Sequence, residues 1–244
     1  MAYCKENGIP TVFWNKEDPL YFEDRHYNFA NTALHFDHIL TTTDECIPKY
    51  HELGHESAHL WMFGAAPRIF HAPEPDTEKE NAAVFAGSWY PYYADRCRDT
   101  ERVFDMVLEK GIELRIYDRQ MYMGKGRNRF PAKYERYVRK PVKFEELGDI
   151  YRRAKYIINI NTVTDSHTMF ARRVFEAMAC GCVVISNHSD GLKNMFGPKI
   201  WFLDEPFDDA QWADITRENM TYVLQNHTCG QRWAQLNTLL KTLQ

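Results

Sequence analysis

Glu176-Ala177-Met178-Ala179-Cys180-Gly181, followed after Cys182 by Val183-Val184-Ile185-Ser186, is the stretch that decides the fold. Gly181 ends a helix predicted over Met169–Cys180, because glycine accepts the left-handed turn that stops one. The β-branched run after it reads as a buried strand. Outward from there the same alternation recurs. Strands are predicted over Ala82–Ala86, Glu113–Tyr117, Tyr156–Ile160 and Ile200–Leu203, and helices over Arg96–Lys110, stopped by Gly111, and Phe144–Ala154. Met121–Arg139 is basic and irregular and reads as a loop; the chain from about residue 208 reads as helical, in two pieces. Strands alternating with helices imply a parallel sheet covered on both faces, since parallel neighbours need crossover connections. The fold class is therefore α/β, and ligands of such sheets sit at the carboxyl ends of the strands.

The loop Thr164-Asp165-Ser166-His167-Thr168 joins one of these strands to the predicted helix. Its hydroxyls and Asp165 are good N-caps, and free amides at such a start favour an anion. Within the helix Arg172, Arg173 and Glu176 are spaced to share one face. Two readings stand side by side. The residues form an ordinary solvated ion pair, or the carboxylate accepts from a ribose diol while an arginine forks onto a diphosphate.

Toward the N-terminus, Gly8 behaves as a helix C-cap and Ile9–Trp14 as a strand, yet almost no residues precede Gly8 to form that helix. The chain is expected to begin within a domain. A second strand is predicted over Phe36–Thr42, a short helix near Asp44–Leu53 closed by Gly54, and a strand over Ala58–Phe63. The Pro-rich, charged stretch Ala72–Glu80 reads as a linker. Residues 1–70, 71–80 and 81–244 are thus expected to form a partial first domain, a linker, and a second domain with C-terminal helices.

Composition removes several function classes. The 244 residues are 44% hydrophobic and carry a net charge of -4, without a long run of one sign, which disfavours a broad grip on nucleic acid or an anionic membrane. No apolar run approaches the roughly 20 residues of a membrane span, and Met1–Glu6 shows no apolar signal-peptide core. Six cysteines lack C-x-x-C spacing and read as reduced thiols of a cytoplasmic protein.

Other constellations compete. His51-Glu52-Leu53-Gly54-His55 is a literal H-E-x-x-H, the zinc hydrolase pattern, but Gly54 inside it favours a helix end. Gly124-Lys125-Gly126-Arg127 lacks the Gly-Lys-Ser/Thr ending of a phosphate loop and reads as a basic, solvated loop. Cys180-Gly181-Cys182 reads as a pair of core thiols. Trp89, Tyr90, Tyr92 and Tyr93 offer rings either to a stacking sugar or base, or to the core. Arg96 and Arg98 put positive charge at a helix start, against its dipole, which points to an anionic ligand unless Asp95 and Asp99 compensate.

The string Glu176–Gly181 with Val183–Ser186 resembles the signature of the group 1 glycosyltransferases, which have the GT-B fold. Val84-Phe85-Ala86-Gly87-Ser88-Trp89 resembles the opening strand and glycine turn of that family's second domain, and Phe144–Asn159 its later lead-in. Gly8–Val12 and Phe36–Glu45 resemble late elements of the first domain, and Phe63-Gly64-Ala65-Ala66 the interdomain crossover. Trp14–Pro19, Gly87–Pro91 and Asn161–Ser166 are similar to the CgeB-like (spore maturation) branch. The order of these motifs along nearly the whole chain is more specific than any one of them.

The resemblance implies a Rossmann-like C-terminal domain beside a partial N-terminal one, lacking most of the first unit and completed by further N-terminal sequence or a partner chain. It implies transfer of a sugar from a nucleotide sugar, UDP-type favoured, to a glycan or other hydroxyl acceptor, with retention and with neither cofactor nor metal. Donor contacts would come from Gly87, Ser88, Trp89, Arg98, Thr164, Ser166, Thr168, Arg172, Arg173 and Glu176, with Glu176 on the ribose. Many members carry a second glutamate eight positions before the ribose-binding one, where this chain has Thr168. Any catalytic base would come from Glu17 or Asp18, after a strand end. The alternatives are a non-catalytic nucleotide- or sugar-binding module and, more remotely, a zinc hydrolase built on His51 and His55.

Overall fold

The computed structural model describes residues 1–123, 128–206 and 209–242. The Gly124–Arg127 loop reading lies outside them.

The N-terminal residues build a small parallel sheet in the order β1-β2-β3, from β1 (Val12–Asn15), β2 (His38–Thr41) and β3 (Ala58–Leu60). Helix α1 (Ala2–Glu6) precedes it, and α2 (Phe29–Ala33) and α3 (Cys46–Glu52) connect its strands. Phe22, Ala33, Ile39, Cys46, Tyr50 and Ala58 pack into a core of their own. Gly54, at φ 85°, ends α3 where the sequence places a stop. β3 is shorter than the predicted Ala58–Phe63.

The second sheet has, among the described residues, six parallel strands: β4 (Glu80–Gly87), β5 (Glu113–Asp118), β6 (Val138–Arg139), β7 (Ala154–Asn159), β8 (Val183–Ser186) and β9 (Trp201–Phe202). Their order is β6-β5-β4-β7-β8-β9. Crossovers include α4 (Ala94–Glu109), α5 (Leu147–Arg153), α6 (Arg173–Ala179) and α7 (Asp190–Phe196); α8 (Trp212–Asn226) and α9 (Cys229–Thr242) follow. The central strands are apolar on both sides because both faces are covered. Val84, Ile157 and Val184 join one core with α6 residues Val174, Phe175 and Met178. Phe85, Ile158 and Ile185 join the opposite core with Val103, Phe104 and Val107 of α4.

The last helix returns to the first sheet's side. The Ala65 amide donates to the His227 carbonyl and the Cys229 amide to the Ala65 carbonyl, each at 2.8 Å. Arg232, almost wholly buried, donates through Nε to the Phe63 carbonyl at 2.9 Å, and Trp61 Nε1 donates to the Arg232 carbonyl at 3.0 Å.

Three elements differ from the sequence reading. The predicted loop Met121–Arg139 contains a 3-10 helix at Ala132–Tyr137 and the edge strand β6. Tyr134 draws this basic stretch inward: its ring meets Phe104 at 5.1 Å and its hydroxyl donates to Asp105 Oδ1 at 2.6 Å. Helix α7 was not predicted, although Ser189 caps it by accepting from the Leu192 amide at 3.3 Å. The helix expected from Met169 starts only at Arg173, which bears on the site.

Candidate functional site

Crossovers run outward in opposite directions from the adjacent strands β4 and β7, so a crevice opens between their carboxyl ends. One wall is the turn Gly87-Ser88-Trp89-Tyr90. The other begins at Ile160 and continues as the irregular segment up to Arg172. A Cβ at position 87 would fall 2.7 Å from the buried Phe85 ring, so any side chain there would have to displace that ring. That Cβ would also lie 3.5 Å from Arg173 Nη2, so the backbone turn and the guanidinium share one small space.

Two hydroxyls and one main-chain bond, not helical amides, organise the second wall. Ser166, buried, accepts from the Met169 amide at 3.0 Å. The Thr164 carbonyl accepts from the Asp190 amide at 2.9 Å. Thr168 Oγ1 donates to the Thr42 carbonyl at 2.9 Å and accepts from the Asp44 amide at 3.1 Å. These bonds keep residues 164–172 out of a helix and turn Thr168 toward the first sheet, where the sequence reading had it facing a donor.

Arg173 and Arg96 converge on the crevice. Arg173 donates to the Ala86 carbonyl at 2.5 Å and lies over the Phe85 ring. Arg96, in the first turn of α4, donates to the Ile160 carbonyl and lies over the Tyr90 ring. Burial, and then the charge of Arg173, pull Arg96 down to about 10. Among the described residues no carboxylate lies within ion-pair distance of either guanidinium. Two crowded, partly desolvated cations at one strand-end crevice make a site suited to an anion.

Of the two arginines read at this helix start, Arg98, the one placed among the donor contacts, points to solvent and pairs with Asp95 at 2.5 Å. Arg96 holds the place expected of it. The sequence carried that signal: Arg96 continues the buried face of Thr100, Val103, Phe104 and Val107 at helical spacing, and Arg98 does not.

Arg172 and Glu176 do form the i,i+4 pair, at 2.6 Å, with Arg172 half exposed and Glu176 buried. Burial raises the Glu176 carboxyl, against the lowering charges of Arg172 and Arg173. Ser88 is buried with its Oγ unpartnered among the described residues. Trp89 is a core residue, packed on Phe130 at 5.8 Å, so its ring is not an open stacking surface.

Glu17 is exposed just past β1. Asp18 beside it is fully buried and accepts from Asn15 Nδ2 at 2.7 Å, Thr41 Oγ1 at 2.8 Å and the Tyr50 hydroxyl at 2.9 Å. Burial outweighs these donors and lifts its carboxyl to about 6. Enclosed on all sides, Asp18 is a packing node of the first sheet, not a base open to a substrate.

The zinc pattern does not assemble. Helix α3 stops at Glu52, and His55, beyond Gly54, turns its Nε2 to the Phe36 carbonyl at 2.8 Å. Among the described residues the group that brings metal-ligating atoms together is Asp44, Glu45 and His167, within 4.8 Å of one another. Sequence reasoning missed this trio because His167 is far from the two acids along the chain.

Residues 102–238, more than half of the chain, match the model of a family described as glycosyl transferase-like. The chain belongs to that family. No curated protein matches its sequence. Among solved structures, this glycosyl transferase-like chain resembles HepE from Anabaena in complex with UDP-glucose, with a TM-score of 0.68 at 12% identity, over 99% of this chain and 74% of that one. It also resembles sucrose-phosphate synthase from Thermosynechococcus elongatus, with a TM-score of 0.64 at 16% identity, over 95% and 67% of the two chains. A third is α,α-trehalose-phosphate synthase (UDP-forming) from Burkholderia vietnamiensis, with a TM-score of 0.55 at 12% identity, over 99% and 72%. The architecture is that of the GT-B glycosyltransferases. Among the described residues no helix is long and apolar enough to cross a membrane.

Proposed function

We propose that this protein transfers a sugar from a nucleoside-diphosphate sugar, of the UDP type, to a hydroxyl acceptor with retention of anomeric configuration. The observation that carries the reading is the convergence of Arg173 and Arg96 at the crevice, with no carboxylate within ion-pair distance of either among the described residues. Negative charge grows on the leaving diphosphate in the transition state, and fixed guanidiniums there stabilise it more than they stabilise the ground state. They take the part that a divalent cation plays elsewhere, so no metal is required. Glu176, one turn beyond Arg172, would hold the ribose through the oxygen that Arg172 leaves free. Residues 81–244 would form the donor-binding domain, residues 71–80 a linker, and residues 1–70 part of the acceptor-side domain. HepE bound to UDP-glucose and the UDP-forming synthase support the choice of base. The six thiols, all unpaired, suit a cytoplasmic setting.

Calorimetric titration of the chain with UDP and GDP, beside Glu176→Ala and an EDTA-treated sample, tests this. UDP binding that depends on Glu176 and ignores EDTA supports the reading. Binding of neither nucleotide overturns it. Binding without release of UDP from any UDP-sugar would leave a nucleotide-binding module in place of an enzyme.

A further inference from the structure

We infer that Tyr21, Tyr27, Phe29, Tyr90, Tyr92 and Tyr93 form a shelf that binds sugar rings of a glycan, making the acceptor a carbohydrate. The inference rests on the glycosyl-transfer reading above and names its acceptor class.

The shelf comes from two places far apart in sequence. One half follows β1, where Tyr27 stacks on Phe29 at 5.5 Å with the rings 12° apart, and Tyr21 meets Tyr27 at 4.7 Å. The other half follows β4, where Tyr92 lies 4.8 Å from Tyr93 and 5.7 Å from Tyr90. A hydrogen bond of 2.7 Å between the Tyr21 and Tyr93 hydroxyls joins the halves.

Local backbone chemistry holds the outer ring in place. Asp24 Oδ1 accepts from the His26 and Tyr27 amides at 2.7 and 3.0 Å. Asn28 then takes a left-handed conformation, φ 54°, which asparagine tolerates better than most residues and which turns the chain between the two stacked rings.

A core cluster would hide its rings. Here Tyr92 is 64% exposed and Tyr27 49% exposed, while both touch other rings. A phenol presents a flat apolar face and a polar rim. A pyranose matches it, with a C–H face and hydroxyls around the edge. The position favours an acceptor over a donor, because half of the shelf belongs to the first sheet's side. It is also continuous with the crevice: Tyr90 lies against Arg96, and Arg96 is bonded to the Ile160 carbonyl.

The test titrates the 244-residue chain with maltohexaose, cellohexaose, chitohexaose and mannohexaose, alongside UDP. The expected result is that at least one oligosaccharide binds, that Tyr92→Ala and Tyr27→Ala each weaken it by about tenfold or more, and that Tyr92→Phe, which keeps the ring, binds like the parent. UDP affinity stays the same in all three variants. If none of the four oligosaccharides binds the parent chain, or if the double alanine variant binds as tightly, the shelf is not a glycan site. Loss of UDP binding in the parent, with oligosaccharide binding intact, would sink the donor reading and leave the shelf standing.

Discussion

The Thr168 hydroxyl sits between two backbone groups of the segment after β2, donating to the Thr42 carbonyl at 2.9 Å and accepting from the Asp44 amide at 3.1 Å. One side chain on the crevice wall therefore fastens the second sheet's loop to the first sheet. Thr168→Val keeps the shape and removes both bonds, leaving a carbonyl and an amide without their partner. Stability should fall by about 1–3 kcal/mol, read as a lower urea midpoint, with UDP affinity unchanged. A variant that loses affinity at unaltered stability would make Thr168 a ligand contact instead.

The two convergent arginines should separate from their neighbour in a nucleotide titration. Arg173→Ala and Arg96→Ala each remove a guanidinium from the crevice and should weaken UDP binding by about 10- to 100-fold. Arg98→Ala, which breaks an exposed pair with Asp95, should leave it intact. Equal losses from Arg96→Ala and Arg98→Ala would mean that general surface charge, not the crevice, attracts the nucleotide.

Asp18 makes acid favourable to the first sheet. Its carboxyl is lifted from 3.8 to about 6 by burial, so between those values the folded state holds a proton that the unfolded state has lost. Stability from this group is fully present below pH 3.8 and declines as pH rises through about 6, by about 3 kcal/mol in all. Asp18→Asn carries no such charge, and its denaturation midpoint should lack that decline. Parallel pH profiles for parent and variant between pH 4 and 6.5 would refute the assignment.

His227 works in the opposite direction. It is stacked on Phe175 at 5.0 Å beside the buried Arg232, and burial followed by that cation lowers its imidazole to about 4. The folded state therefore resists a proton that the unfolded state accepts. Its contribution is complete above pH 6.5 and is lost as pH falls through about 4. His227→Gln should flatten that acid limb in a pH series of thermal melts; an unchanged limb would place the titrating group elsewhere.

Much of the fold was legible because its signals are local. Gly54, Gly111 and Gly181 all take positive φ at the helix stops read from the sequence, and Val183–Ser186 is a strand with the predicted bounds. The runs around β4, β7 and β8 are apolar on both faces, which only a covered parallel sheet explains. The start of α6 was misread because Ser166 and Thr168, good caps by residue type, spend their hydroxyls on a turn and on the first sheet. The stretch around Tyr134 was misread because its burial depends on Phe104, 30 positions away on another element.

The site was legible in kind and partly in membership: Gly87 and Arg173 meet at the crevice and Arg172 pairs with Glu176, as the spacing suggests. Chain order and the Glu176–Ser186 string determined by themselves an α/β chain of the glycosyltransferase type, with a ligand crevice at the strand ends. Periodicity and stop residues act within a few positions, so they survive in a bare sequence. Only the tertiary structure decided that Arg96 meets the Ile160 carbonyl beside Arg173, that Asp18 is sealed beneath Tyr50, and that Thr168 reaches across to Thr42. Each of those outcomes depends on which distant surfaces pack together, and packing between elements leaves no repeating mark along the chain.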